Sequence, residues 1–301
     1  MKRKINLYLT LMRPANILTA IADILAGYAI SSNVTENLFI FNTDPVNLIN
    51  VSLLILATAC LYSAGMVFND VFDINRDAIE RPERILPQGL VSKREAILLG
   101  TFLNIAGIIL AFIVNVYSGG IACVIAASAL AYNAFGKNTM IAPFNMGLCR
   151  ALNLLLGISG FPEGMHDNLL VLLIPFFYVS AITFISRNEV KGGRGIPYKA
   201  GFYLYLFTCA GAFSYFIWED LDIYSSLPFL VLFVLFTSFP ILDIQRNPSP
   251  LMIQKAVKFG VLGIIILNSS IAAGFSGLPY AVFVFLLLPV SLILSHTFAV
   301  T

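Results

Sequence analysis

The sequence predicts an all-α protein, a polytopic bundle of transmembrane helices, and three observations carry that expectation. Of the 301 residues, 58% are hydrophobic and 11% charged, and the mean hydropathy is +0.87. Soluble domains carry roughly 25% charged residues, so the chain has too little polar surface for a soluble or a disordered protein. The apolar residues arrive in ten runs of about 20, the length a helix needs to cross the hydrocarbon core. Finally, all 18 Lys and Arg fall on alternate connections between those runs, as expected when one membrane face retains positive charge.

In chain order, the first run (14–31) follows the basic segment MKRK. Arg13-Pro14 interrupts the apolar stretch before it and no small-residue cleavage site follows, so a retained span is expected rather than a signal peptide. Runs at 49–68, 95–115, 118–135, 142–160, 169–186, 199–217, 226–242, 256–275 and 279–298 complete the set. Gly119-Gly120, Gly160 with Pro162, and Gly274 and Gly277 with Pro279 mark expected tight connections. Basic residues cluster around 2–13, 76–94, 137–150, 187–199 and 246–258, and none lies near 32–48, 116–118, 161–168, 218–225 or 276–278. The N-terminus and the basic loops are therefore expected in the cytoplasm, with a bacterial inner membrane as the setting. Trp218, Tyr215 and Tyr224 sit near a non-cytoplasmic helix end, where an interfacial aromatic belt belongs. Cys60, Cys123, Cys149 and Cys209 each lie inside an apolar run without a CxxC pair, which implies no disulfide framework. A net charge of +2 gives no reason to expect nucleic acid. The whole of 1–301 reads as a single integral membrane domain.

The informative stretch is the 69–94 connection, NDVFDINRDAIERPERILPQG, which follows the second span without a break. Asp70, Asp73 and Asp77 are spaced by three and four residues, so on a continuing helix they share a face, with Asn69 one step away. Crowded carboxylates repel unless a cation lies between them. Magnesium suits this set, because it takes oxygen ligands and commonly bridges a few carboxylates to substrate phosphates. Arg81 and Arg84 follow one turn apart, placed to hold phosphate oxygens. The alternative is a solvated loop helix with offsetting charges. Against it stands the position of the acids, which begin where a nearly charge-free span exits the membrane. Pro82, Pro87 and Gly89 then end the helix.

On these residues the chain resembles the UbiA superfamily of intramembrane prenyltransferases. Its first aspartate-rich motif, NDxxDxxxD, is met by Asn69, Asp70, Asp73 and Asp77, and a downstream Pro-x-Gly turn by Arg81 to Gly89. Arg13-Pro14-Ala15-Asn16 with Gly27 resembles the family's first span. Tyr132, Lys137, Pro143, Asn145, Gly147, Arg150 and Asn153 resemble the stretch around its fourth and fifth spans. The resemblance covers residues 10–275. It implies nine helices around a central cavity, here with a tenth C-terminal helix. It also implies Mg2+ held by two aspartate-rich loops, and transfer of a prenyl group from a prenyl diphosphate to a lipophilic acceptor, aromatic in some members.

The second loop departs from the pattern. It reads SRNEVKGGR from Ser186 to Arg194, leaving Glu189 as its one carboxylate beside Arg187, Lys191 and Arg194. Basic side chains stabilise a diphosphate without metal. The ISRNEVKGG loop, the tenth span and the FAVT terminus look most like the EboC branch of the superfamily. The resemblance assigns catalysis to Asp70, Asp73, Asp77 and Glu189, and metal binding to the three aspartates. It assigns diphosphate binding to Asn69, Arg81, Arg84, Lys137, Arg150, Arg187 and Lys191. Several assignments have a structural alternative: a helix cap for Asn69, topogenic charge for Lys137, snorkelling for Arg150, and a loop ion pair for Glu189. Asp23, alone midway along the first span, is either a functional carboxylate or the partner of a buried polar group. His166 and His296 are far apart in the topology and form no metal pair. A catalytically weak protein that binds isoprenoids or transports metabolites on the same bundle is the competing function. A secondary transporter would show repeat symmetry, which is missing, as is the DGxxAR signature of CDP-alcohol phosphotransferases.

Overall fold

Hydrocarbon offers no partner to a bare peptide group, so a spanning chain must satisfy its backbone within each segment. The regular structure is accordingly helical throughout in a computed structural model describing residues 2–31, 45–137, 139–162, 165, 168–187, 192–193 and 195–297. The helices are α1 (Lys2–Met12), α2 (Pro14–Ser31), α3 (Pro45–Glu80), α4 (Lys93–Val114), α5 (Val116–Ala131), α6 (Ala142–Ile158), α7 (Leu173–Ser186), α8 (Ile196–Trp218), α9 (Ile223–Arg246), α10 (Pro250–Phe285) and α11 (Leu287–Thr297). Among the described residues, eight helical stretches are long and apolar enough to cross a membrane, and α6 is a shorter apolar helix.

Pro14 opens α2, where its missing N–H and fixed φ are harmless. Before it, Arg13 takes a left-handed φ of 51°, breaking α1 from α2. At 36 residues, α3 is about 54 Å long and outruns the roughly 30 Å hydrocarbon core, so its last turns carry the aspartates past the span proper. Beyond Glu80 the chain turns through Gly89 at φ +68°, a left-handed position that favours glycine. Leu86 and Val91 then tuck under Leu11, Val67, Val71 and Ala96, clamping this loop and α1 to α3.

Ser92 and Glu95 start α4 with reciprocal side-chain-to-backbone bonds. The connection to α5 is the single residue Asn115, whose Oδ1 accepts from the Ser118 N–H at 2.8 Å while its Nδ2 donates to the Ser159 carbonyl at 2.8 Å. Gly119 and Gly120 therefore lie inside α5 and not at the turn, with Gly119 set against the Phe112 ring. Past Ala131 the helix widens into one π turn, Tyr132–Gly136. Trp218 and Tyr224 are exposed as an interfacial belt requires, but Tyr215 is buried, so it belongs to the packing.

The tenth span is real and broken. A helix running without interruption from Pro250 to Ser295 would be about 69 Å long, more than twice the hydrocarbon core. The chain instead reverses at Gly277 (φ 77°, ψ 176°). Three bonds then step down α2: Ser276 Oγ to the Ala29 carbonyl (3.3 Å), Tyr280 OH to Leu25 (2.9 Å) and Ser291 Oγ to Ala15 (2.8 Å). The segment after Gly277 thus returns antiparallel along nearly the full length of α2, through a second interruption between α10 and α11.

Candidate active site

A cavity with about 1080 Å3 of open space, part of it continuous with the outside, lies between α3, α5, α6, α7 and α10. Its walls are mostly apolar, as in Leu61, Ile125, Ile182 and Ile264, and Asn69 stands at the aspartate end. One face of α3 supplies Thr58, Tyr62, Met66 and Asn69 at helical spacing, and Asp73 continues that row one turn higher.

The sequence expects one cation between three carboxylates; the structure gives each carboxylate a base from the chain itself. Asp70 Oδ1 accepts from Arg13 Nη2 at 3.0 Å and from Arg84 Nη1 at 3.4 Å. The same Arg84 Nη1 donates to Asp77 Oδ2 at 2.7 Å, so one guanidinium spans two helical turns. Lys137 Nζ donates to Asp73 Oδ2 at 2.6 Å and approaches the Asn69 carbonyl at 3.5 Å. Asp70 and Asp77 are buried, and Asp73 keeps a partly open face. Among the described residues no three acidic, His or Cys side chains converge as a ready metal cage. Three carboxylates facing three bases leave the cluster neutral. Burial pulls the Lys137 ammonium below the usual lysine range, against the opposing pull of Asp73.

Of the other assigned residues, Arg81 is half-buried and its N–H closes α3 on the Asp77 carbonyl at 2.8 Å. Arg187 donates to the Thr139 carbonyl and lies over the Phe184 ring, 5.6 Å from its centroid. It thus braces the connection that carries Lys137. Glu189 and Lys191 lie outside the described residues, as do Arg194, His166, the middle of the ISRNEVKGG loop (188–191) and the FAVT terminus.

Arg150, which the resemblance assigns to diphosphate binding, finds its partners on α2 and not among the first-loop aspartates. Its Nη1 pairs with Asp23 Oδ2 at 3.0 Å, its Nη2 donates to Thr19 Oγ1 at 2.5 Å, and its guanidinium sits 5.7 Å from the Tyr62 ring centroid. Asp23, wholly buried, also accepts from Asn153 Nδ2 (2.9 Å) and Asn268 Nδ2 (2.6 Å). Thr58 Oγ1 donates to Asn153 Oδ1 at 2.5 Å. This network ties α2, α3, α6 and α10 together and forms the polar inner wall of the cavity. Sequence reasoning missed Arg13 as a partner of Asp70, although Arg13-Pro14 was visible as a motif. It also missed Asn133, which the π turn presents to the cavity and which carries no sequence signal.

The sequence profile of the UbiA prenyltransferase family matches residues 24–248. Digeranylgeranylglyceryl phosphate synthase of Sulfurisphaera tokodaii is 30% identical over 190 residues, 62% of this chain and 63% of that protein. The enzyme of the same name from Methanosarcina mazei is 31% identical over 200 residues, 64% of this chain and 66% of that one. The match thus spans just under two thirds of the length of these relatives. Among solved structures, a UbiA homologue from Archaeoglobus fulgidus bound to GPP and Mg2+ superposes with a TM-score of 0.64 at 17% identity, covering 93% of this chain and 99% of that one. A digeranylgeranylglyceryl phosphate synthase structure gives 0.63 at 22% identity, over 90% and 98%. At these identities the superpositions speak for the fold.

Proposed function

The chain belongs to the UbiA prenyltransferase family, and from that premise we propose that it transfers a prenyl group from a prenyl diphosphate to a lipophilic acceptor inside the membrane. The observation that carries the reading is the row of Asp70, Asp73 and Asp77 at the head of a largely apolar cavity, each carboxylate held by a base able to exchange it for phosphate.

The donor set is all oxygen, on successive turns of one helix, which fits magnesium; Asp70, Asp73 and Asp77 would hold it, with Asn69 beside them. When bound, Mg2+ neutralises charge on the departing diphosphate. The resting cluster is neutral, so an added diphosphate needs that extra positive charge. Lys137 and Arg84 turn from their carboxylates to phosphate oxygens as the donor enters, and Arg13 keeps Asp70 oriented. Arg81 and Arg187 add positive potential at the rim; in the second loop the resemblance assigns Lys191 to the same task and Glu189 to catalysis. The acceptor forms its bond to the prenyl C1 as the C1–O bond breaks, the electron pair leaves with diphosphate, and the acceptor's proton passes to an oxygen of that diphosphate. Apolar walls keep water from intercepting the electron-poor carbon. The cytoplasmic placement of the basic loops, in a bacterial inner membrane, puts the aspartates where a soluble diphosphate head reaches them.

The test is saturable binding of labelled geranyl diphosphate to the purified chain in lipid, with and without magnesium, for wild type and Asp73→Asn. Metal-dependent binding or diphosphate release that the substitution abolishes is expected. Equal behaviour of the two proteins overturns the reading, and Glu189→Gln tests the second loop in the same assay.

A further inference from the structure

The transferase reading leaves two polar features of the cavity wall unused. Asn133 is 8% exposed; its Nδ2 donates to the Gly65 carbonyl at 3.2 Å, and its Oδ1 has no hydrogen-bond partner. A buried amide oxygen left unpaired is costly, and in hydrocarbon there is no bulk water to repair it. Arg150, 6% exposed, uses guanidinium N–H groups on Asp23 and Thr19 and has others with no protein acceptor among the described residues. Both side chains line the cavity. Gly65 lies eight residues below Asp73 on α3, about 12 Å along the axis, and Tyr62, under the Arg150 guanidinium, about 16 Å. The wall therefore presents a lone acceptor nearer the diphosphate site and a set of donors deeper in.

Their chemistry selects a ligand. An orphan acceptor calls for an O–H or N–H, which an ionised carboxylate or phosphate does not provide. The spare donors on Arg150 call for an oxygen, but its charge is already matched by Asp23 at 3.0 Å. A second anion there would stand beside a buried carboxylate, where weak screening makes the repulsion costly. We propose that the prenyl acceptor is an uncharged hydroxylated lipophile, its hydroxyl donating to Asn133 Oδ1 and a second oxygen accepting from Arg150. Asp23 is the positioning residue that sets this preference by neutralising Arg150. The relatives named above are named for a glyceryl phosphate, so the acceptor class separates this chain from them. The inference rests on the transferase reading and specifies its acceptor.

The experiment gives the full chain in lipid geranyl diphosphate, magnesium and one of three acceptors: an alkylhydroquinone, its ring carboxylate, or an alkylglycerol phosphate. Products are read by mass spectrometry, and donor binding is measured separately. Prenylation of the hydroquinone at least about tenfold faster than of either acid is expected. Asn133→Leu should raise the hydroquinone KM about tenfold, the value of one hydrogen bond, with geranyl diphosphate binding unchanged. Asp23→Asn should narrow the discrimination by admitting the carboxylate, a change that a purely structural role would not produce. If either variant fails to fold, the wild-type panel decides. Donor binding with the acids used as fast as the hydroquinone, or with the hydroquinone unused, overturns the inference and leaves the transferase reading standing. Loss of donor binding in the wild type removes that reading as well.

Discussion

Arg150 and Asp23 show how a buried charge is made tolerable. Each removes the other's need for water, and Asn153, Asn268 and Thr19 occupy further hydrogen-bonding sites. Breaking one side of such a pair strands a charge, whereas removing both sides is often nearly neutral. Arg150→Met should therefore lower stability by about 3 kcal/mol, and Asp23→Leu with Arg150→Met should regain most of that loss; thermal unfolding in detergent measures both. Lys137→Met should weaken geranyl diphosphate binding while leaving the melting temperature close to wild type, because Asp73 keeps an open face to solvent. The aspartate row was legible at this scale, since spacings of three and four residues at a span exit fix a common face. The partners were not. Arg13, Arg84 and Lys137 approach the row from 57, 14 and 64 residues away, and no local pattern encodes which base meets which acid.

Helices in hydrocarbon gain nothing from simply leaving water, so they associate where small residues let backbones approach. Gly27 of α2 and Gly157 of α6 are such a place: a Cβ on Gly27 would stand 2.5 Å from the Leu154 carbonyl oxygen, and one on Gly157 would stand 2.6 Å from that of Ile24. Gly157→Val should cost about 2 kcal/mol and, by parting the two helices, loosen the Asp23–Arg150 pair that bridges them. Lower thermal stability accompanied by faster hydrogen exchange in α2 is the expected signature. The spans themselves were readable from apolar runs and the tenth from its glycine and proline punctuation. The run at 49–68 understated α3, because hydropathy registers the bilayer and not the helix, which continues through polar residues to Glu80. The turn at Asn115 was misplaced onto Gly119-Gly120, since a single residue that closes one helix and opens the next leaves no loop composition to see.

For the molecule as a whole, the segregation of Lys and Arg onto alternate connections sets the orientation. With the four native cysteines changed to alanine, Gln88→Cys should react with a membrane-impermeant maleimide only from the cytoplasmic side, and Tyr224→Cys only from the opposite side; the reverse pattern would invert the topology. The bases that hold the aspartates come from three separate entry points: the segment before α2, the loop after α3 and the connection after α5. A nascent chain possesses no such centre until its fifth helix has been threaded and docked. Half-inserted or mistranslocated copies therefore scatter their acids and bases and never assemble the paired row, a form of quality control that needs no separate inspector.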